Sequence, residues 1–218
     1  MTTHAYAFDA YGTLFDVHAA IARHRGALGT DAEAFSALWR AKQLEYSWTR
    51  TLMGRTRDFW QLTQDALDFC LARFPGVDPA LRQPLLESYF RLDAFADARP
   101  TLLRLRADGA RCALFTNGTR AMAESAAASA GLADCLEMIV SVEAAGRFKT
   151  VPEVYALVAG RLGLPMAAVT LVSSNRWDIA GAAACGMPGI WVNRTGQPDE
   201  YPDLAPVRII TRLDELSC

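Results

Sequence analysis

The sequence predicts an α/β protein in which a parallel sheet is covered by helices and interrupted, after its first strand, by a helical insert. Three observations predict this. Beyond residue 95, short apolar runs alternate with helical segments, the pattern of βαβ units. Residues 17–95 contain no convincing strand. The first apolar run, "AYAFDA", therefore has strand partners only on the far side of the insert. We read 1–16 and 96–218 as a core and 17–95 as a helical-bundle cap inserted into it.

The elements follow in order. "AYAFDA" is a strand that ends at Asp9. Four helices fill the insert: "VHAAIARHRGAL", "DAEAFSALWRAKQLEYSWTRTLM", "TRDFWQLTQDALDFCLARF" and "PALRQPLLESYFRL". In the second, Phe35, Leu38, Trp39 and Ala41/Leu44 recur at helical spacing; in the third, Phe59, Leu62, Ala66/Leu67 and Cys70 do so. Gly54 and "FPGVDP" punctuate them. "RPTLLRLRADG" is a helix with Pro100 near its start and Gly109 after its end. Then come the strand "RCALFTNG", the helix "TRAMAESAAASAG", the strand "CLEMIVSVE" and the helix "VPEVYALVAGRLG". The strand "AVTLVSSN", the helix "RWDIAGAAACG" and the strands "PGIWVNR" and "PVRIIT" complete the chain.

A net charge of -2 gives no broad cationic footprint for nucleic acid, yet a few local cations suffice for a small anion. No apolar run approaches membrane-spanning length, and "MTTHAYAFDAYG" does not read as a signal peptide. Cys70, Cys112, Cys135, Cys185 and Cys218 are scattered and form no C-x-x-C pair; they read as thiols of a cytoplasmic protein. His4, His18 and His24 are not grouped, and no catalysis is assigned to them.

In open α/β sheets, ligands sit beyond the carboxyl ends of the strands. Those ends carry Asp9, Thr13, Thr116, Asn117, Lys149, Ser173, Ser174, Asn175 and Asp178. A carboxylate can act as a nucleophile and divide one hard step into two. A nearby lysine favours its ionised form. Hydroxyls and backbone amides at the turns can hold an anion.

"DAYGTLFD", "LFTNG", "FK" before "PEVY", and "VSSNRWD" resemble the four motifs of the haloacid dehalogenase superfamily over nearly the whole chain. The resemblance implies a Rossmann-like (HAD-type) core. Most members are magnesium-dependent phosphatases with an acidic residue two positions after the nucleophile and another in the fourth motif. Here those positions are Tyr11 and Ser174. Losing the general acid and a ligand for a hard cation argues against phosphoryl transfer and for displacement at carbon.

"LWRAKQLEYSW" further resembles the cap signature of the L-2-haloacid dehalogenases. That likeness implies a reaction without metal or other cofactor. Asp9 attacks C2 of a small 2-haloacid, halide leaves, and water hydrolyses the ester to the inverted 2-hydroxy acid. It implies that Arg40 draws out the halide and Lys149 pairs with Asp9. Asp178, with Ser173 and Asn175, positions or activates the water, and Thr13 holds the Asp9 carboxylate. Thr116 and Asn117 hold the substrate carboxylate through hydroxyl and backbone N–H. Tyr11, Leu44, Phe59, Tyr155 and Trp177 line the substrate pocket. Relatives resemble homodimers, and Trp39, Trp48 and Trp60 are expected to stabilise the cap or a dimer contact.

The sequence departs from the family at Thr116, where Ser is frequent, at Ala41, where Gln is common, and at "KTVP", where Pro often follows the lysine directly. An alternative within the family is ring opening of azetidine-2-carboxylate. A magnesium-dependent phosphatase and a non-catalytic binding protein are weaker alternatives.

Overall fold

The computed structural model describes residues 4–217, so Cys218, expected to be a free thiol, lies outside the described residues. Six strands form one parallel sheet: β1 (Ala5–Asp9), β4 (Arg111–Thr116), β5 (Met138–Ser141), β6 (Val169–Ser173), β7 (Gly189–Val192) and β8 (Arg208–Ile210). Their spatial order is β5-β4-β1-β6-β7-β8. The first strand is therefore central, flanked by strands that lie beyond the insert in sequence. Every residue of β1 is buried, and successive side chains point to opposite faces, so both faces are covered.

Between β1 and β4, helices α1 (Val17–Ala22), α2 (Arg25–Leu28), α3 (Ala32–Met53), α4 (Phe59–Arg73) and α5 (Arg82–Ser88) make up the insert. Helices α6 (Ala98–Ala107), α7 (Arg120–Ser129), α8 (Pro152–Leu162) and α9 (Arg176–Ala184) pack around the sheet. Side-chain caps define several starts: Asp58 accepts from Gln61 N and Thr119 from Met122 N. Gly54 and Gly163 close α3 and α8 in the left-handed conformation. The buried apolar residues of sheet and insert form one continuous cluster, from Phe8 and Leu114 to Phe35, Trp39 and Leu62.

Two expectations are corrected. The insert is expected to hold no strand, yet its return, β3 (Asp93–Ala94), pairs antiparallel with β2 (Phe15–Asp16). This two-residue ribbon is where the chain leaves and re-enters the core; it is too short to carry a periodic signal. "VHAAIARHRGAL" was read as one helix but breaks at Arg23–His24. Long-range contacts override helix propensity there: Arg23 bonds the Arg91 carbonyl and pairs with Asp93, and His24 meets Ser88 at 2.9 Å.

The crossing point is locked by Arg194, which follows β7. Its guanidinium forms a two-point pair with the Asp97 carboxylate at 2.9 and 3.0 Å and lies over the Phe95 ring. Asp97 also accepts the Leu213 amide near the C-terminus. Cys70, Cys112 and Cys135 are buried and Cys185 is half-buried. No described helix is long and apolar enough to cross a membrane.

Leu114 lies at the middle of β4, fully buried between Phe8 of β1 and Ile139 of β5. Leu114→Ala is expected to cost about 2–5 kcal/mol in urea unfolding, whereas the exposed Leu103→Ala stays within about 0.5 kcal/mol.

Candidate active site

The site grows from the central strand. Because β1 lies between β4 and β6, Asp9 emerges where the turns after those strands converge. Gly12, at φ +86°, takes a backbone conformation that glycine adopts readily, and it lets the chain fold back beneath Asp9. The Ala10 carbonyl accepts from Leu14 N and Phe15 N and holds this turn.

Three donors converge on the Asp9 carboxylate. Lys149 Nζ reaches Oδ1 at 3.1 Å; Thr13 Oγ1 and Asn175 Nδ2 reach Oδ2 at 2.9 and 2.8 Å. Thr13 Oγ1 in turn accepts the Ser174 amide at 2.8 Å. The Lys149 ammonium also donates to Asp178 Oδ2 at 2.8 Å and to the Phe115 carbonyl at 3.0 Å, so all its protons are used. Burial disfavours that charge, but Asp178 and Asp9 outweigh it and hold Lys149 above the ordinary lysine value. Burial pushes the Asp178 carboxyl up, against the pull of Lys149.

The insert supplies the opposite wall. Phe59 stacks on the Tyr11 ring at 6.1 Å, and the Arg40 guanidinium lies 5.9 Å from that ring's centre. Arg40 Nη1 and Tyr11 Oη are both buried and carry no hydrogen bond. Buried polar atoms without a partner are costly, and these two lie together beside the Asp9 crevice. Burial pushes the Tyr11 phenol well up, so the ring stays neutral.

Residues 3–186 match the haloacid dehalogenase-like hydrolase family. The (S)-2-haloacid dehalogenase 1 of Pseudomonas sp. (strain CBS-3) is 45% identical over 205 residues, which cover 94% of this chain and 90% of the relative. The L-2-haloacid dehalogenase from Xanthobacter autotrophicus, solved with chloropropionic acid covalently bound, superposes with a TM-score of 0.90 at 34% identity, covering 97% of this chain and 95% of that one. The chain belongs to the L-2-haloacid dehalogenase family. A dehalogenase crystal structure, 39% identical, covers 98% of this chain and 95% of its own, with a TM-score of 0.96.

Within this family frame, the expected site residues divide. Asp9, Thr13, Lys149, Asn175 and Asp178 form one hydrogen-bonded cluster, with Tyr11, Phe59 and Arg40 facing it. Asn117 Oδ1 accepts the Lys149 amide at 2.9 Å and so anchors the lysine's backbone. Leu44 is half-buried one helical turn after Arg40 on α3. Trp177 meets Trp48 edge-on at 5.4 Å, and both line a cavity of about 400 Å³ with Phe148 and Lys149.

The other expected residues have partners of their own within the protein. Ser173, expected at the water, accepts the Asn175 amide at 3.1 Å and fixes that turn. Thr116 Oγ1 accepts the Gly118 amide at 3.0 Å, so neither that N–H nor this lone pair faces an open anion site. Tyr155, expected in the pocket, is fully buried behind Asp178 and donates to its Oδ1 at 2.9 Å. Asp178 therefore has both oxygens engaged, one by Lys149 and one by Tyr155.

Sequence reasoning missed Gly118, where an added Cβ would sit 2.6 Å from Tyr11 Oη; the glycine of "LFTNG" was its signal. It also missed Phe148, edge-on to Phe59 at 5.9 Å; Trp48, expected to stabilise the cap or a dimer contact, meets Trp177 of the core. Trp39 does serve the insert, donating to the Thr63 carbonyl, and Trp60 packs on Phe90.

The Tyr155 hydroxyl donates to the ionised form of Asp178 and favours it. Removing it disfavours that form, so Tyr155→Phe is expected to move the Asp178 titration, followed by carboxyl carbon NMR, to higher pH.

Proposed function

We propose that this chain hydrolyses short 2-haloalkanoic acids to 2-hydroxy acids, with inversion at C2 and through an ester on Asp9. The observation that carries the reading is the setting of Asp9: an ammonium and two neutral donors hold it, and an aromatic ring, not a second carboxylate, stands at position 11. The names of the relatives point the same way. Helices 17–95 act as the cap over this crevice.

In the first step, an Asp9 oxygen attacks C2 from the side opposite the halogen. The C–O bond forms, the carbon–halogen bond breaks, and the halide departs with the bonding pair. A halide is stable as an anion, so no general acid is needed at position 11. Arg40 Nη1, buried and free of other partners, receives it. Thr116 and Asn117 hold the substrate carboxylate through hydroxyl and backbone N–H, with the Asn117 side-chain oxygen anchoring Lys149 N. Leu44, Phe59 and Trp177 enclose the alkyl part.

In the second step, water adds to the Asp9 ester carbon. Lys149, Thr13 and Asn175 steady the oxyanion that develops there. Asp178, held beside the Asp9 ester by the shared Lys149, takes the water's proton. On collapse the bond between the Asp9 carboxyl carbon and the ester oxygen carried on C2 breaks, Asp178 returns its proton to that departing oxygen, and the hydroxy acid leaves; one water oxygen stays on Asp9, whose remaining proton passes to solvent. The donor set does not suit a divalent cation. Between the two carboxylates lies an ammonium, the second oxygen of Asp178 is capped by Tyr155, and position 174 is a serine. Among the described residues, no three His, Cys, Asp or Glu side chains are grouped to share an ion.

We further propose a cytoplasmic homodimer. Leu52 and Met53, exposed at the end of α3, are apolar groups that a second copy would cover.

Incubation with (S)-2-chloropropionate in the presence of EDTA is expected to release chloride and yield (R)-lactate. Asp9→Asn is expected to abolish release, and Arg40→Ala to lower kcat by about 10²–10³. Turnover that EDTA removes, or a folded Asp9→Asn chain as active as the parent, would contradict the reading.

A further inference from the structure

Arg194 lies 181 residues from Thr13 in sequence, yet its Nη2 donates to the Thr13 carbonyl at 3.1 Å. The same guanidinium grips Asp97 at two points, and the Asp97 side chain is only 3% exposed. Phe95, beneath the guanidinium at 4.0 Å, donates its amide to the Leu14 carbonyl. One side chain thus holds both chain crossings between core and insert: residues 13–14 on the way out and 95–97 on the way back.

Thr13 is also the residue whose hydroxyl fixes Asp9 Oδ2 and takes the Ser174 amide. Its hydroxyl and carbonyl are held from two sides, by the site and by Arg194. A peptide fixed at its carbonyl cannot swivel, and the hydroxyl one residue's geometry away keeps its aim. We propose that Arg194, braced by Asp97, is a positioning residue that holds the Thr13 peptide and thereby the attacking orientation of the Asp9 carboxylate. This rests on the dehalogenase reading for its kinetic consequence, though not for the contact itself.

A planar fork suits this task better than a point charge, because three acceptor atoms on two segments must be met at once. A carboxylate turned slightly from the line of attack loses rate while substrate still binds. The signature is therefore a fall in kcat with little change in KM.

The test is a double-mutant cycle on Arg194→Met and Thr13→Ala, read by halide release from (S)-2-chloropropionate. Arg194→Met is expected to lower kcat about 10- to 100-fold with KM within about threefold. In the Thr13→Ala background it is expected to cost less than about twofold more, because both changes remove one chain of contacts. Hydrogen exchange is the second readout: amides of residues 10–16 should exchange faster in Arg194→Met while those of 111–116 keep their protection. Arg194→Lys, which keeps the charge and loses the fork, serves the same cycle should the methionine variant not fold.

Additive losses in the cycle, a fall explained by fewer folded molecules at unchanged kcat per active site, or unaltered exchange at 10–16 would each overturn the proposal. A wild-type chain that releases no halide would instead overturn the dehalogenase reading, and the exchange readout alone would then decide the contact.

Discussion

A buried ammonium between two carboxylates is the constraint around which this molecule is arranged. Lys149 is fully buried, and its three protons go to Asp9, Asp178 and a strand carbonyl. Desolvating three charged groups is expensive, and such a cluster persists only where geometry satisfies every partner. The sheet provides that geometry. A central first strand delivers Asp9, the turn after β6 and the start of α9 deliver Asn175 and Asp178, and Asn117 after β4 ties down the lysine's backbone. Tyr155 and Thr13 then add a hydroxyl donor to each carboxylate.

The insert does the opposite. It brings Phe59, stacked on Tyr11 of the core, and beside them one cation, Arg40, whose Nη1 carries no hydrogen bond. An anionic substrate entering this space meets saturated donors on the core side and unsaturated ones on the insert side. In the proposed reaction that asymmetry directs a displacement: Asp9 is fixed and pre-paired, and Arg40 Nη1 offers a place to a departing anion. The Arg194–Asp97 pair ties the two chain crossings between core and insert to the Thr13 carbonyl.

Much of this was legible in the sequence, for identifiable reasons. The parallel sheet followed from continuous apolar runs such as "RCALF" and "AVTLV", whose burial on both faces leaves no polar alternation to misread. Asp9, Lys149 and Asn175 stood out because polar residues at strand ends are few and the sheet gathers them. Less was legible where rotamers decide contacts. The partners of Tyr155 and Thr116 are of this kind: the Tyr155 hydroxyl donates to Asp178, and the Thr116 hydroxyl accepts the Gly118 amide. The break at Arg23–His24 and the two-residue ribbon depend on partners some 70 residues away, which no local pattern encodes. Arg194 gave no signal at all, since "VNRTG" reads as an ordinary loop.

The account stands or falls on a covalent bond between Asp9 and substrate carbon. A single turnover in H₂¹⁸O, with protein in excess over 2-chloropropionate and the Asp9 peptide weighed afterwards, tests this most directly. The account predicts one heavy oxygen in that peptide and none in the lactate hydroxyl. Heavy oxygen in the lactate, with an unlabelled Asp9 peptide, would mean that water attacks the substrate directly and would contradict it.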